Sequence, residues 1–160
     1  MILEQVNTTG LAAPKEHMEK TDARVVCAQE IGVVPGKRDE ISQWLHRLGW
    51  NSIIEPSVQC DGNQTSAGAA VCARSCFGLR KPAAGATVIE NRAVLGIVEA
   101  PGWKDLHVIS AYLKASVGLR QPNAGYLGDI GRRVQGIDTA VVIAADFNMP
   151  PELLQHSSFP

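Results

Sequence analysis

Oxygen-bearing polar side chains stand at the ends of several strands that the sequence predicts. Asn7 ends the first predicted strand, Glu30 ends the second, and Tyr112 lies near the end of a later one. Asp146 and Asn148 follow the last strand, and an extended segment would point them to the same side because they are two positions apart. Strand ends and the loops after them are where α/β sheets build sites. Carboxylates, amides and one phenol, with no His or Cys, form an oxygen-rich set that suits Mg²⁺ rather than zinc.

The elements that must position these side chains alternate between strands and helices. Apolar and β-branched runs predict strands, and apolar residues at helical spacing predict helices. The predicted strands cover residues 1–6, 23–30, 51–55, 69–77, 106–113 and 139–145, with one or two more inside 86–100. The predicted helices cover residues 14–21, 37–48 and 122–135, with a turn of helix at 151–155, and residues 59–68 form a polar loop. This order predicts an α/β protein in which a mixed β-sheet carries helices on its outside.

The last predicted strand restricts how the rest of the fold can pack. After Thr139 it is apolar at every position up to Ala145, so it needs cover on both faces. A single sheet with helices on one side would leave the second face in water. We therefore expect an exposed apolar face that a missing C-terminal half or a second chain would cover.

Length and composition limit the class of protein. The 160 residues suit one domain, and a hydrophobic content of 45% is enough to form a core. Lys and Arg number 15 against 16 Asp and Glu, so overall charge gives no argument for nucleic-acid binding. No apolar stretch approaches the about 20 residues of a membrane span, and we see no secretory signal, which predicts an intracellular location. Cys27 and Cys72 lie in apolar runs and are predicted to be buried free thiols.

Five short motifs, in order along residues 7–148, resemble those of the endonuclease/exonuclease/phosphatase (DNase I-like) superfamily. VVCAQE, ending at Glu30, resembles its strand that ends in Gln-Glu. ADFN resembles its Gly-Asp-x-Asn motif, with Ala145 at the glycine position. Asn7–Gly10 resembles the turn that closes the family's first strand. Ser66–Arg74 (SAGAAVCAR) resembles its small-residue strand. Ser110–Lys114 (SAYLK) resembles the strand that bears the tyrosine of abasic-site endonucleases.

The resemblance implies a fold, an activity and a role for each candidate residue. The fold would be an incomplete four-layer α/β sandwich of the DNase I-like type, forming a single domain over residues 1–160 that is truncated at its C-terminus. The activity would be Mg²⁺-dependent phosphodiester hydrolysis with DNA or RNA as the substrate, in the AP-endonuclease or retroelement-endonuclease branch. The implied roles are metal binding for Glu30 and activation of the attacking water for Asp146. Asn7 and Asn148 would hydrogen-bond the carboxylates or the phosphate, and Tyr112 would donate a hydrogen bond to a phosphate oxygen.

Two departures from the family pattern leave other functions open. Complete members continue to a further aspartate and an Asp-His pair, whose histidine contacts the scissile phosphate, whereas His156 has no Asp before it. The proline that often follows the tyrosine is replaced by Leu113. One alternative is a catalytically dead, truncated fragment or pseudoenzyme that acts, if at all, as a binding module. Another is an interaction module that uses the apolar sheet face, and lipid or inositol phosphates are open as substrates.

Overall fold

The computed structural model describes residues 1–8, 12–60, 64–102 and 104–155. The strands there are β1 (Leu3–Asn7), β2 (Val25–Gln29), β3 (Trp50–Glu55), β4 (Val58–Gln59), β5 (Thr65–Ser66), β6 (Ala69–Arg74), β7 (Gly78–Arg80), β8 (Thr87–Ile89), β9 (Ala93–Glu99), β10 (Leu106–Tyr112) and β11 (Val141–Asp146). The helices are α1 (Ala12–Lys20), α2 (Arg38–Arg47), α3 (Asn123–Val134) and the short α4 (Pro151–Gln155), with a 3₁₀ turn at Pro35–Lys37.

The strands form two main sheets. The first has the order β1-β2-β6-β3, and β1 runs parallel to β2 while the other neighbours are antiparallel. The second has the order β11-β10-β9-β7, with β8 also paired to β9, and β10 and β11 are its parallel pair. The predicted mixed pairing is therefore present in both sheets, and β4 and β5 form a separate two-stranded ribbon.

Three apolar clusters separate the layers. One lies between the first sheet and the helices α1 and α2, and includes Met18, Leu45 and Trp50. The second lies between the two sheets and is built from alternate residues of facing strands, among them Val71 and Val108. The third packs α3 and α4 against the outer face of the second sheet. The order helix, sheet, sheet, helix is a four-layer α/β sandwich, as the motif resemblance implies.

The second sheet overturns the expectation of an exposed apolar face on β11. Ala144 packs between the sheets, and Ala145 and Ile143 pack towards α3, so both faces of the strand have cover. In the described part of the chain, the large hydrophobic side chains that are exposed are Met1, Ile2, Val58 and Leu153, none of them on β11. The prediction was wrong because it counted one sheet, and a stacked second sheet supplies the missing cover.

Several local predictions also change. The polar loop at 59–68 contains one pair of the β4–β5 ribbon, and β7 was not predicted, because strands of two or three residues are too short to show a period. His107 has a partner that the sequence did not suggest: its Nδ1 lies 2.8 Å from Oγ1 of Thr139. The cysteine prediction is confirmed, since Cys27 and Cys72 are free and buried. No described helix is long and apolar enough to cross a membrane.

Candidate active site

The two parallel strand pairs end at the same place. In the first sheet Asn7 is paired with Gln29, and in the second sheet Tyr112 is paired with Asp146. Each of these residues is the last of its strand. A hydrogen bond between Asn7 and Asp146 joins the two sheets at this edge. The stacking of the sheets therefore brings together residues that lie 139 positions apart in the chain.

The carboxylate of Asp146 is held by two N–H donors. Nδ2 of Asn7 donates to Oδ2 at 2.6 Å, and the backbone N–H of Asn148 donates to Oδ1 at 3.0 Å. Asn7 is exposed and Asp146 is half-buried, so the group faces solvent. Each carboxylate oxygen has a second lone pair, so the side chain can still accept a hydrogen bond from water or substrate while its orientation is fixed.

Asn148 does not take the orientation that the sequence predicted. It follows β11 in the left-handed region, with φ of 51°, so the chain turns after Asp146 and the period-two argument fails. Its side-chain Nδ2 donates to the carbonyl oxygen of Leu113 at 2.8 Å, and N–H of Leu113 donates to the carbonyl of Asp146 at 2.9 Å. Asn148 thus reaches the Asp146 carboxylate with its backbone, and its side chain ties the turn to the end of β10.

Glu30 and Tyr112 form the second part of the group. Glu30 also has a positive φ, 54°, and its N–H donates to the carbonyl of Gly68 at 3.0 Å, so the chain turns out of the sheet directly after β2. Burial, a hydrogen bond to the Glu30 carboxylate and the charges of Glu30 and Asp146 together raise the pKa of Tyr112 to about 12. The phenol is therefore a neutral O–H donor near pH 7, and it stands next to both carboxylates.

Arg92 is a residue of this group that the sequence reasoning missed. Its guanidinium carbon lies 5.7 Å from the ring centroids of both Tyr112 and Tyr126, and its charge acts against the rise in the pKa of Tyr112. Its Nη1 is buried without a hydrogen-bond partner among the described residues. The sequence feature that could have indicated Arg92 is its position directly before the apolar strand β9. A guanidinium at such a position needs an anion or an aromatic ring nearby.

The donor set can be compared with the needs of a metal ion. In the part of the chain that is described, no three His, Cys, Asp or Glu side chains form a group that could hold a metal. Mg²⁺ needs fewer protein ligands than zinc, because it keeps several waters and binds through one or two carboxylates together with a substrate phosphate. Glu30 and Asp146 supply two carboxylates at one edge, beside amide and phenol oxygens. This chemistry fits Mg²⁺ and does not fit a closed zinc site.

Parts of the sequence prediction lie outside the described residues. They are Thr9 and Gly10 of the turn after Asn7, and His156. The described histidines lie elsewhere. His17 contacts Glu4 at 2.9 Å, His107 contacts Thr139, and His46 is exposed on α2.

No protein-family model and no curated protein matches the sequence. In structure the chain is similar to the AP endonuclease LMAP from Leishmania major, with a TM-score of 0.62 and 15% identity over 90% of this chain and 54% of that one. It is also similar to ANGEL2, a 2′,3′-cyclic phosphatase, with a TM-score of 0.53 and 21% identity over 86% of this chain and 42% of that one. The chain spans about half the length of these proteins. It has the DNase I-like α/β fold that the motifs implied.

Proposed function

We propose that this chain carries the Mg²⁺-dependent phosphodiester-hydrolysing site of its fold, with a nucleic acid as the substrate. The observation that carries the proposal is the Asp146 carboxylate, which two N–H donors hold in one orientation at the shared edge of the two sheets. Tyr112 and Glu30 stand beside it. The two similar structures, an AP endonuclease and a cyclic phosphatase, support the same class of reaction.

Asp146 is the proposed general base. A positioned carboxylate can take a proton from the water that attacks phosphorus, and such groups typically contribute about 10²–10⁴-fold to the rate. Asn7 and the backbone of Asn148 hold one hydrogen bond on each carboxylate oxygen, which restricts rotation of the side chain. A fixed direction matters because phosphoryl transfer depends mainly on positioning and charge stabilisation.

Tyr112 and Arg92 are the proposed phosphate-binding groups. With a pKa of about 12, Tyr112 keeps its proton at neutral pH and can donate it as a hydrogen bond to a phosphate oxygen. Arg92 is half-buried and brings a positive charge to the same phenol ring. This charge would attract a phosphate oxygen, and guanidinium–phosphate hydrogen bonds are among the stronger ones in proteins.

Glu30 is the proposed Mg²⁺ ligand, and Asp146 is the second carboxylate at this edge of the sheets. When bound, Mg²⁺ supplies charge neutralisation at the phosphate and at the leaving oxygen. Tyr112 competes for the Glu30 carboxylate through its hydrogen bond. The backbone at Glu30 is held by the hydrogen bond from its N–H to the carbonyl oxygen of Gly68.

The test is a cleavage assay on supercoiled plasmid and on an abasic-site duplex, with Mg²⁺ or with EDTA. We expect Mg²⁺-dependent cleavage that Asp146→Ala lowers by about 10²-fold or more. Asp138→Ala is the matched control, because Asp138 is exposed and lies just before β11, at the opposite end of the strand. Equal activity of the two variants would contradict the role of Asp146.

A second candidate function is a folded module that binds metal or phosphate without cleaving. The positions of the described histidines favour it, since His17, His46 and His107 all lie away from the carboxylates. A folded chain that binds Mn²⁺ or an abasic-site duplex but leaves both substrates intact would support this candidate over the first.

A further inference from the structure

Gln29 is a buried polar residue at the centre of the contact between the two sheets. Its side chain is 0% exposed, and Nε2 donates to Oγ of Ser110 at 2.9 Å and to the carbonyl oxygen of Ala144 at 3.1 Å. Ser110, also 0% exposed, returns a hydrogen bond from Oγ to the carbonyl of Ala28 at 3.0 Å. These three bonds connect β2 in the first sheet to β10 and β11 in the second.

Each residue in this network is one or two positions from a candidate site residue. Gln29 itself precedes Glu30. Ser110 lies two positions before Tyr112, and Ala144 lies two positions before Asp146, so in each strand the two residues share a face. The network therefore sits directly beneath the carboxylates and the phenol.

The backbone of Gln29 reaches the remaining site strand. Its carbonyl accepts hydrogen bonds from both N–H and Oγ1 of Thr8, each at 2.9 Å, and Thr8 is buried directly after Asn7. Gln29 is thus bonded to segments that carry Asn7, Tyr112 and Asp146, and it is the chain neighbour of Glu30. Among the described buried polar residues, it is the one whose bonds reach all of these segments.

The hydrogen-bond network lowers the stability of the contact between the two sheets in one respect. Oε1 of Gln29 is buried without a hydrogen-bond partner in the described part of the structure, and an unpaired buried acceptor is costly. Apolar side chains would fill the same space without that cost, and replacing both partners of a buried hydrogen bond is often nearly neutral for stability. A polar bridge at this position is better explained by the geometry that it imposes than by stability.

We propose that Gln29 and Ser110 are positioning residues, which set the separation and register of the two sheets so that Glu30 faces Tyr112 and Asp146. The inference rests on the proposed function for the use of the site. Its structural part, the placement of Glu30 against Tyr112, stands apart from any activity. Removal of the bridge should leave the fold intact and move Glu30 relative to the phenol.

The experiment uses ¹⁹F NMR of the chain labelled with 3-fluorotyrosine. The chain has two tyrosines, so Tyr112 and Tyr126 give two signals, which Tyr126→Phe assigns. In the double variant Gln29→Leu with Ser110→Ala we expect the Tyr112 signal to shift towards its position in Glu30→Gln, by more than its linewidth. The midpoint of urea unfolding should change little.

Val98→Ala is the matched control. Val98 is buried between the sheets, but it pairs with Leu106 at the start of β10, at the end of the sheets away from the site. We expect it to lower the unfolding midpoint and to leave the Tyr112 signal in place. An unmoved Tyr112 signal in the double variant, or an equal shift in Val98→Ala, would overturn the proposal.

A metal titration separates this inference from the proposed function. Mutation of the residues that orient metal ligands typically lowers the affinity for the metal by about 10-fold or more. We therefore expect weaker Mn²⁺ binding, followed by electron paramagnetic resonance, in the double variant than in Val98→Ala. If the parent chain binds no Mn²⁺, the proposed function fails while the fluorine result still decides the positioning role.

Discussion

The phenol of Tyr112 allows a test of the site geometry that needs no substrate. Its pKa is about 12, raised by burial, by the hydrogen bond to Glu30 and by the charges of Glu30 and Asp146, and opposed by Arg92. An ordinary tyrosine has a pKa of about 10, so at about pH 10 roughly 1% of Tyr112 is ionised against about half of an exposed tyrosine. Glu30→Gln removes the hydrogen-bonding carboxylate and its charge. We expect the ionised fraction at this pH to rise several-fold.

The assay is the ultraviolet absorbance of phenolate in a Tyr126→Phe background, which leaves Tyr112 as the single tyrosine. Circular dichroism at the same pH reports whether the chain is folded. Asp146→Asn should give a smaller rise than Glu30→Gln, because Asp146 acts on the phenol through its charge without a hydrogen bond. Asp138→Asn, at the other end of β11, should give none.

The raised pKa of Tyr112 also makes the stability of the fold depend on pH. Because the pKa of Tyr112 is higher in the folded than in the unfolded chain, the contribution of Tyr112 to stability is complete below about pH 10 and is lost as the pH rises towards 12. If about half of the parent's Tyr112 is ionised at about pH 10, the phenol faces water and our reasoning is refuted. An ionised fraction that Glu30→Gln leaves unchanged would mean that Glu30 does not contact the phenol.

Three further predictions concern other buried or conformationally restricted residues of the fold. Asn123→Ala should lower the free energy of unfolding by about 3 kcal/mol, because the buried amide makes three hydrogen bonds to the loop after β10; a loss under about 1 kcal/mol in urea unfolding would contradict this. Burial raises the pKa of Cys72 to about 12, so stability should fall as the pH rises through about 9, and Cys72→Ala should make that fall less steep in unfolding curves measured across this range. Gly68→Ala should destabilise the fold more than Gly85→Ala: both glycines have positive φ, which costs alanine about 1–2 kcal/mol, but only at Gly68 would the new Cβ meet Ser57. Equal thermal shifts for the two glycine variants would contradict the steric argument.

Much of the secondary structure could be predicted because local patterns specify it. α2 and α3 were predicted from apolar residues at helical spacing, and the observed bounds differ from the prediction by about one residue at each end. β2, β10 and β11 were predicted because β-branched, apolar runs have few alternatives. β4, β5 and β7 were missed, since such short strands form only where a neighbouring strand offers hydrogen bonds.

The strand-end positions of the candidate site residues were predictable from the sequence, but the geometry between them was not. The sequence placed Asn7, Glu30, Tyr112 and Asp146 at strand ends, and the structure has each of them at or directly after such an end. It could not show that Asn148 turns back with positive φ and uses its side chain to hold Leu113, because that conformation depends on the end of β10.

By itself, the amino-acid sequence determined the order of the main strands and helices and the residue types at the strand ends, because hydrophobic periodicity and turn residues act over a few neighbouring positions. Only the tertiary structure decided that two sheets stack, that β11 is covered on both faces, and that Arg92 joins the site beside Tyr112. It also decided the bridge from Gln29 to Ser110, which joins residues 81 positions apart. The physical reason is that contacts between sheets depend on which faces meet, and alternation along a strand says which residues share a face but not what lies opposite that face.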